Sequence, residues 1–132
     1  MDYISTRDAA SAPRKFTDIL LTGLSPEGGL FMPAVYPQVD GETLDAWRAL
    51  LAERGYAALA AEVVKLFADD IPATVIEELT ARAYTTEDGK FASEEIVPVS
   101  SLERGLLVAH LSEGPTAAFK DMAMQLLGEL FE

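Results

Sequence analysis

The sequence predicts an α/β protein: a mostly helical amino-terminal domain with short strands over residues 1–84, then the first strand–helix unit of a second domain over residues 85–132. Three observations carry that reading. Apolar residues recur at helical spacing through most of residues 44–83. Short extended stretches bounded by turn residues open the chain. After residue 97, two apolar runs lead through Gly114-Pro115-Thr116 into an amphipathic segment, the order of strand, turn and helix.

Residues 3–6 read as a short strand, followed by a polar loop through Arg14. Residues 16–21 begin a helix, with Phe16, Ile19 and Leu20 on one face and Gly23 as its stop. Ser25-Pro26-Glu27-Gly28-Gly29 is a turn. Its paired glycines serve either a tight reversal or the close approach of backbone to a ligand. Residues 30–32 are extended and 33–41 form a loop.

Helices are expected at 44–51, 56–67 and 72–83. In the second, Tyr56, Leu59, Ala60, Val63 and Phe67 mark a core face. In the third, Pro72 takes a first-turn position and Val75, Ile76 and Leu79 point inward. Trp47 and Phe67 are read as core aromatics. Residues 84–90 lead out of the helical part as a loop. Residues 97–102 and 106–111 read as strands, the second an unbroken apolar run suited to a covered sheet.

Composition bounds the function. A chain of 132 residues with 49% hydrophobic content is globular and long enough for a sizeable core. A net charge of −12 argues against nucleic acid or anionic membranes as partners. It leaves room for a small anionic substrate, because a site can be locally positive inside an acidic protein. The absence of cysteine excludes disulfides and thiolate metal sites. Asp69-Asp70 lacks further oxygen ligands at suitable spacing, so no metal site is expected. His110, the single histidine, ends a strand without matched ligands and reads as structural. Asp2, Arg7 and Asp8 interrupt any apolar leader, and no apolar run approaches a membrane span; a cytoplasmic protein is expected.

The stretch richest in chemistry is residues 113–128, EGPTAAFKDMAMQLLG. Thr116 is placed to cap a new helix by accepting a hydrogen bond from the Phe119 N–H. Phe119, Met122, Ala123, Leu126 and Leu130 form one apolar row, and Lys120, Met124, Leu127 and Phe131 a second. Asp121, Gln125, Glu129 and Glu132 share a polar stripe. A helix apolar over most of its circumference is expected to be buried, with Lys120 inside the apolar arc. Burial and the positive helix end disfavour an ammonium, and a free amine is what attacks an aldehyde to form a Schiff base. The alternative lays the lysine stem on the core and keeps its ammonium in water; spacing leaves both open. At the other end of the chain, Ser5, Thr6 and Arg7 set hydroxyls beside a guanidinium. That set either binds phosphate through charge-assisted hydrogen bonds or pairs at the surface.

Gly114 to Asp121, GPTAAFKD, resembles the lysine motif GPT-x-AFKD of the threonine synthase family. Tyr3-Ile4-Ser5-Thr6-Arg7 resembles the family's YxSTR opening, and residues 16–33, FTDILLTGLSPEGGLFMP, resemble its F-x-x-x-LL-x-GL-x-x-DGGL-aromatic-x-P segment. The family often has Gly at the position of Asp8, Asp at Glu27 and His at Glu113.

The resemblance implies a fold-type II enzyme dependent on pyridoxal 5'-phosphate (PLP), a carbon–oxygen lyase acting on phosphates. Such an enzyme converts O-phosphohomoserine and water to L-threonine and phosphate. It implies that Lys120 holds the cofactor as a Schiff base and moves protons at the substrate carbons. Thr6 and Arg7 become candidates for contact with the substrate, which is a phosphate ester. It also implies that the chain is an amino-terminal fragment, inactive without the remainder of the catalytic domain. Two alternatives stand beside it: another PLP-dependent elimination enzyme such as a threonine dehydratase, or a non-catalytic assembly module. The STR opening and the EGGL turn favour threonine synthase.

Overall fold

The computed structural model describes residues 1–8, 10 and 12–132, so Ala9 and Ser11 of the expected loop lie outside the described residues. Strand β1 (Tyr3–Ser5) pairs antiparallel with β2 (Phe31–Pro33), Tyr3 opposite Pro33 and Ser5 opposite Phe31. Between them lies helix α1 (Phe16–Thr22). Its first-turn donors are satisfied from far along the chain: the Thr17 N–H and hydroxyl donate to Asp70 Oδ2 at 2.9 and 2.7 Å. It stops at Gly23, whose φ of 75° favours glycine.

Helix α2 (Gly41–Phe67) starts at Asp40, which accepts from the Thr43 N–H at 2.8 Å. The two helices expected at 44–51 and 56–67 are its two halves. Gly55, at φ 79° and ψ −175°, interrupts the helical backbone between them. Helix α3 (Ala73–Ala83) returns along α2. Ala61, Ala68 and Ile76 form the core, with Phe16, Val64 and Ile71 packed against it. The strand pair is tied to this core through Tyr3, whose buried hydroxyl donates to the Phe67 carbonyl at 2.7 Å. Burial, with Asp70 and Asp69 nearby, pushes that hydroxyl up to about 12.

Two residues placed inward by periodicity lie at the surface. Val63 and Val75 are 37% and 39% exposed, while Ala61, Ile76, Leu79, Thr80 and Ala83 are buried. The small side chains of Ala61, Ala68 and Ala83 let the helices approach closely, which turns the contact stripe away from the valines.

Beyond α3 the chain makes a short 3₁₀ turn (Glu87–Gly89) and a hairpin of β3 (Val99–Glu103) and β4 (Leu106–Ala109). The two strands are antiparallel, and Gly105 at φ 84° makes the reversal. The run 106–111 is not a covered strand: Leu106, Leu107 and Leu111 are exposed, Leu107 at 65%, and among the described residues β4 pairs only with β3. Helix α4 (Asp121–Leu130) then packs on α3.

Helix α4 departs from its pattern at two positions of the polar stripe, whereas Gln125 is half-buried and Glu132 exposed. Asp121 and Glu129 of the expected polar stripe are buried, whereas Phe119 is 75% exposed and Met124 and Phe131 are exposed too. The reason is electrostatic. Glu129 accepts from Arg82 Nε at 2.7 Å and from Lys90 Nζ at 2.5 Å, so its carboxylate is compensated on the α3 side. On the other side Met124 and Phe131 stay exposed, while Met122, Leu126, Leu127 and Leu130 are half-buried.

Hydrogen bonds from Lys90 and Arg82 hold the Glu129 carboxyl below its ordinary range, against the opposing effect of burial. A carboxyl depressed in the folded state stabilises above its unfolded value and loses that contribution as pH falls through the folded one. Thermal unfolding between about pH 5 and pH 3 is therefore expected to show a smaller loss of stability in Glu129→Gln than in the parent protein. Equal slopes would mean that this carboxylate is not coupled to folding.

Candidate functional site

Lys120 is the N-cap residue of α4, with its carbonyl accepting from the Ala123 and Met124 N–H groups at 3.1 and 2.9 Å. The chain reaches it through linked turns. The Ala117 N–H donates to the Gly114 carbonyl and the Asp121 N–H to the Ala118 carbonyl, each at 3.0 Å. Ala117 adopts φ 52°, a left-handed conformation uncommon for alanine.

The carboxylate of Asp121 organises these turns. Its Oδ2 accepts from the Thr116 N–H at 2.8 Å, and the Thr116 hydroxyl donates to both carboxylate oxygens at 2.9 and 2.8 Å. Thr116 therefore does not cap the helix by accepting from Phe119. A carboxylate is the stronger acceptor beside a helix N-terminus, so the hydroxyl donates instead and the helix starts later, at Asp121. Burial pushes the Asp121 carboxyl up, but the Thr116 hydrogen bonds and the Lys120 charge together outweigh it and leave it lowered. Gly114 makes the arrangement possible. A Cβ there would lie 2.7 Å from Asp121 Oδ2 and nearer still to its Cβ.

The Lys120 side chain is 54% exposed, and its Nζ lies 3.6 Å from Asp121 Oδ1. The burial expected from its place in the apolar arc is thus absent here, and the alternative with the amine in water is the one observed. Its neighbours explain this: Phe119 and Met124 on either side of it are also uncovered in this chain. Chemically, the turn presents a primary amine from a backbone fixed by hydrogen bonds.

The second candidate region folds into one knot. Ser5 Oγ and Ser25 Oγ lie 2.9 Å apart, and Ser25 Oγ also accepts from the Gly29 N–H at 3.0 Å. Thr6 Oγ1 accepts from the Leu30 N–H at 3.0 Å, and Arg7 Nη1 donates to the Glu27 carbonyl at 3.2 Å. The STR opening and the EGGL turn are therefore two halves of a single structure. Gly28, at φ 74°, makes the reversal, and Gly29 accommodates the protein's own Ser5, whose Oγ a Cβ would approach to 2.7 Å. Glu27 contributes only its backbone here, which suits either Glu or Asp. Gly29→Ala is expected to cost about 1–3 kcal/mol by overpacking the serine pair, read as a lowered melting temperature. An unchanged melting temperature would show that the pair yields freely.

Thr6 and Arg7 are exposed, and among the described residues no carboxylate pairs with Arg7. Among the described residues no hydrogen bond or ion pair links Thr6 or Arg7 to Lys120. Asp69, Asp70 and His110 have structural partners. Asp69 pairs with the terminal amine, Asp70 caps α1, and His110 Nε2 lies 2.8 Å from Ser100 Oγ. Periodicity missed Tyr84, whose hydroxyl donates to the Met122 carbonyl at 2.8 Å, and the pairing of Arg82 and Lys90 with Glu129. No local signal marks a tyrosine that bonds a backbone 38 residues away. Among the described residues no helix is long and apolar enough to cross a membrane.

Residues 2–84 match the family model described as "Threonine synthase N terminus". A threonine synthase from Corynebacterium glutamicum is 66% identical over the whole of this chain, which spans 27% of that relative's length. The crystal structure of a PLP-bound threonine synthase from Brucella melitensis superposes with a TM-score of 0.83 at 37% identity, over 98% of this chain and 26% of that one. Yeast threonine synthase superposes with a TM-score of 0.82 at 32% identity, over 98% of this chain and 25% of that one. The chain thus spans about a quarter of the length of the relatives it matches. It belongs to the threonine synthase N-terminus family.

Proposed function

We propose that this chain is the amino-terminal part of a threonine synthase. Completed by the rest of its catalytic domain, it converts O-phosphohomoserine and water to L-threonine and phosphate. The observation that carries the proposal is the state of the lysines. Lys15, Lys65 and Lys90 each donate a hydrogen bond to a carboxylate, at 2.8, 2.6–2.7 and 2.5 Å. Lys120 donates none among the described residues, and its one ionic neighbour is at 3.6 Å.

An aldehyde cofactor requires a reachable primary amine on a fixed backbone, and Lys120 fits that requirement. PLP, when bound, supplies an electron sink for charge developed at the substrate carbons. Lys120 then has a dual task, to hold the cofactor and to move protons at the α and β carbons. Thr6 and Arg7 are proposed to contact the substrate phosphate. Arg7 supports this role because among the described residues its guanidinium bonds a single carbonyl and it remains exposed. The division between residues 84 and 85 is proposed as the domain boundary, supported by the end of the family match at residue 84. A cytoplasmic location belongs to the same proposal, supported by the family likeness.

The exposed apolar residues Leu102, Leu107, Phe119, Met124 and Phe131 are the surface proposed to receive the rest of the catalytic domain. Incubating the complete protein with PLP and O-phosphohomoserine tests the activity. Threonine and phosphate in equal amounts are expected. Release of ammonia and 2-oxobutanoate from threonine, without phosphohomoserine turnover, would favour a dehydratase. No product from either substrate would favour a non-catalytic module.

A further inference from the structure

Helix α4 is held at both ends by residues that follow or end α3. Near Lys120, the Tyr84 hydroxyl donates to the carbonyl of Met122, the second residue of the helix. The Tyr84 ring is itself fixed, edge-on to Tyr56 at 5.0 Å and 6.1 Å from Phe91. Burial, with Tyr56 adding to it, pushes the Tyr84 hydroxyl up to about 12, so it remains a donor at neutral pH.

At the far end, buried Glu129 accepts from Arg82 and Lys90, and Lys90 Nζ also donates to the Arg82 carbonyl at 2.8 Å. The two attachment points are separated by about 10 Å along the helix axis. A rod fixed at two such points loses both sliding along its axis and rotation about it. Its first residue, and the direction in which Lys120 leaves the backbone, are fixed with it.

We infer that Tyr84 and Glu129 are positioning residues for Lys120, so that the amino-terminal domain sets the place of the reacting amine by clamping α4 at both ends. The inference rests on the reading of Lys120 as the cofactor lysine. It gives the helical domain a chemical task. A misplacement of about 1 Å at a reacting group costs on the order of 10²-fold in rate.

Tyr84→Phe keeps the aromatic cluster and removes only the hydroxyl; Glu129→Gln keeps the shape and removes the charge. Both are made in the complete protein. Two readouts are taken: the rate at which PLP plus borohydride labels Lys120, and amide hydrogen exchange across residues 121–130 without cofactor. Tyr84→Phe is expected to slow labelling of Lys120 about fivefold and to raise exchange in the first turn of α4. Labelling of Lys15 and Lys65 should not change. Glu129→Gln is expected to raise exchange at the far end first; if that variant does not fold, Tyr84→Phe decides alone. Labelling and exchange at parental levels in Tyr84→Phe would overturn the clamp while leaving the cofactor lysine in place. A parent protein that takes no label at Lys120 would overturn the lysine assignment, and the inference with it.

Discussion

If Lys120 has the role proposed above, Lys120→Ala in the complete protein is expected to lower phosphate release from O-phosphohomoserine by at least about 10³-fold, because it removes both the proposed cofactor attachment and the proposed proton carrier. The fold should survive. The Lys120 side chain is half exposed and donates no hydrogen bond among the described residues, so its truncation is expected to change stability by no more than about 0.5 kcal/mol. Lys65→Met gives the contrast. It breaks the pairs with Glu62 and Glu77, so any cost should appear in stability while activity is retained. Phosphate release retained in Lys120→Ala, or lost equally in Lys65→Met, would remove the reason for singling out Lys120.

Gly114→Ala is the second large effect. The glycine is six residues from the lysine and touches no reacting atom, yet the new Cβ must displace the Asp121 side chain. Asp121 then loses the Thr116 hydrogen bonds that fix the turn, and the start of α4 shifts. The expected cost is about 1–3 kcal/mol in stability from overpacking. Activity is expected to fall on the order of 10²-fold from the displaced amine. Thr116→Val separates the two effects, because it removes the hydroxyl bonds without adding a clash; its loss of activity should be smaller. Full activity in Gly114→Ala would show that the turn adjusts without moving Lys120.

Much of this was legible in the chain, for reasons that differ by element. The hairpin of α2 and α3 follows from apolar spacing, and the break at Gly55 falls between the two helical stretches that the spacing separates. The stop of α1 at Gly23 and the reversal at Gly28 follow from positive φ angles that glycine tolerates. The orientation of α4 was not legible. Its apolar rows mark Met124 and Phe131 as buried, while within this chain two cations and a threonine hold Glu129 and Asp121 inward. Lys120 was visible through its motif, but spacing left its exposure open, which the uncovered neighbours Phe119 and Met124 decide. Gly114 was visible as a turn, whereas Thr116, expected as a cap, donates to Asp121 instead. Their shared role, making room for the Asp121 carboxylate and donating to it, depends on a side chain several residues away.

The attachment of the cofactor to Lys120 is the claim on which the rest depends. The direct measurement is reduction of the complete, PLP-loaded protein with borohydride, followed by mass-spectrometric mapping of the modified peptide. A single reduced label on Lys120 is the predicted result. A single label on another lysine, with Lys120 unmodified, would contradict it.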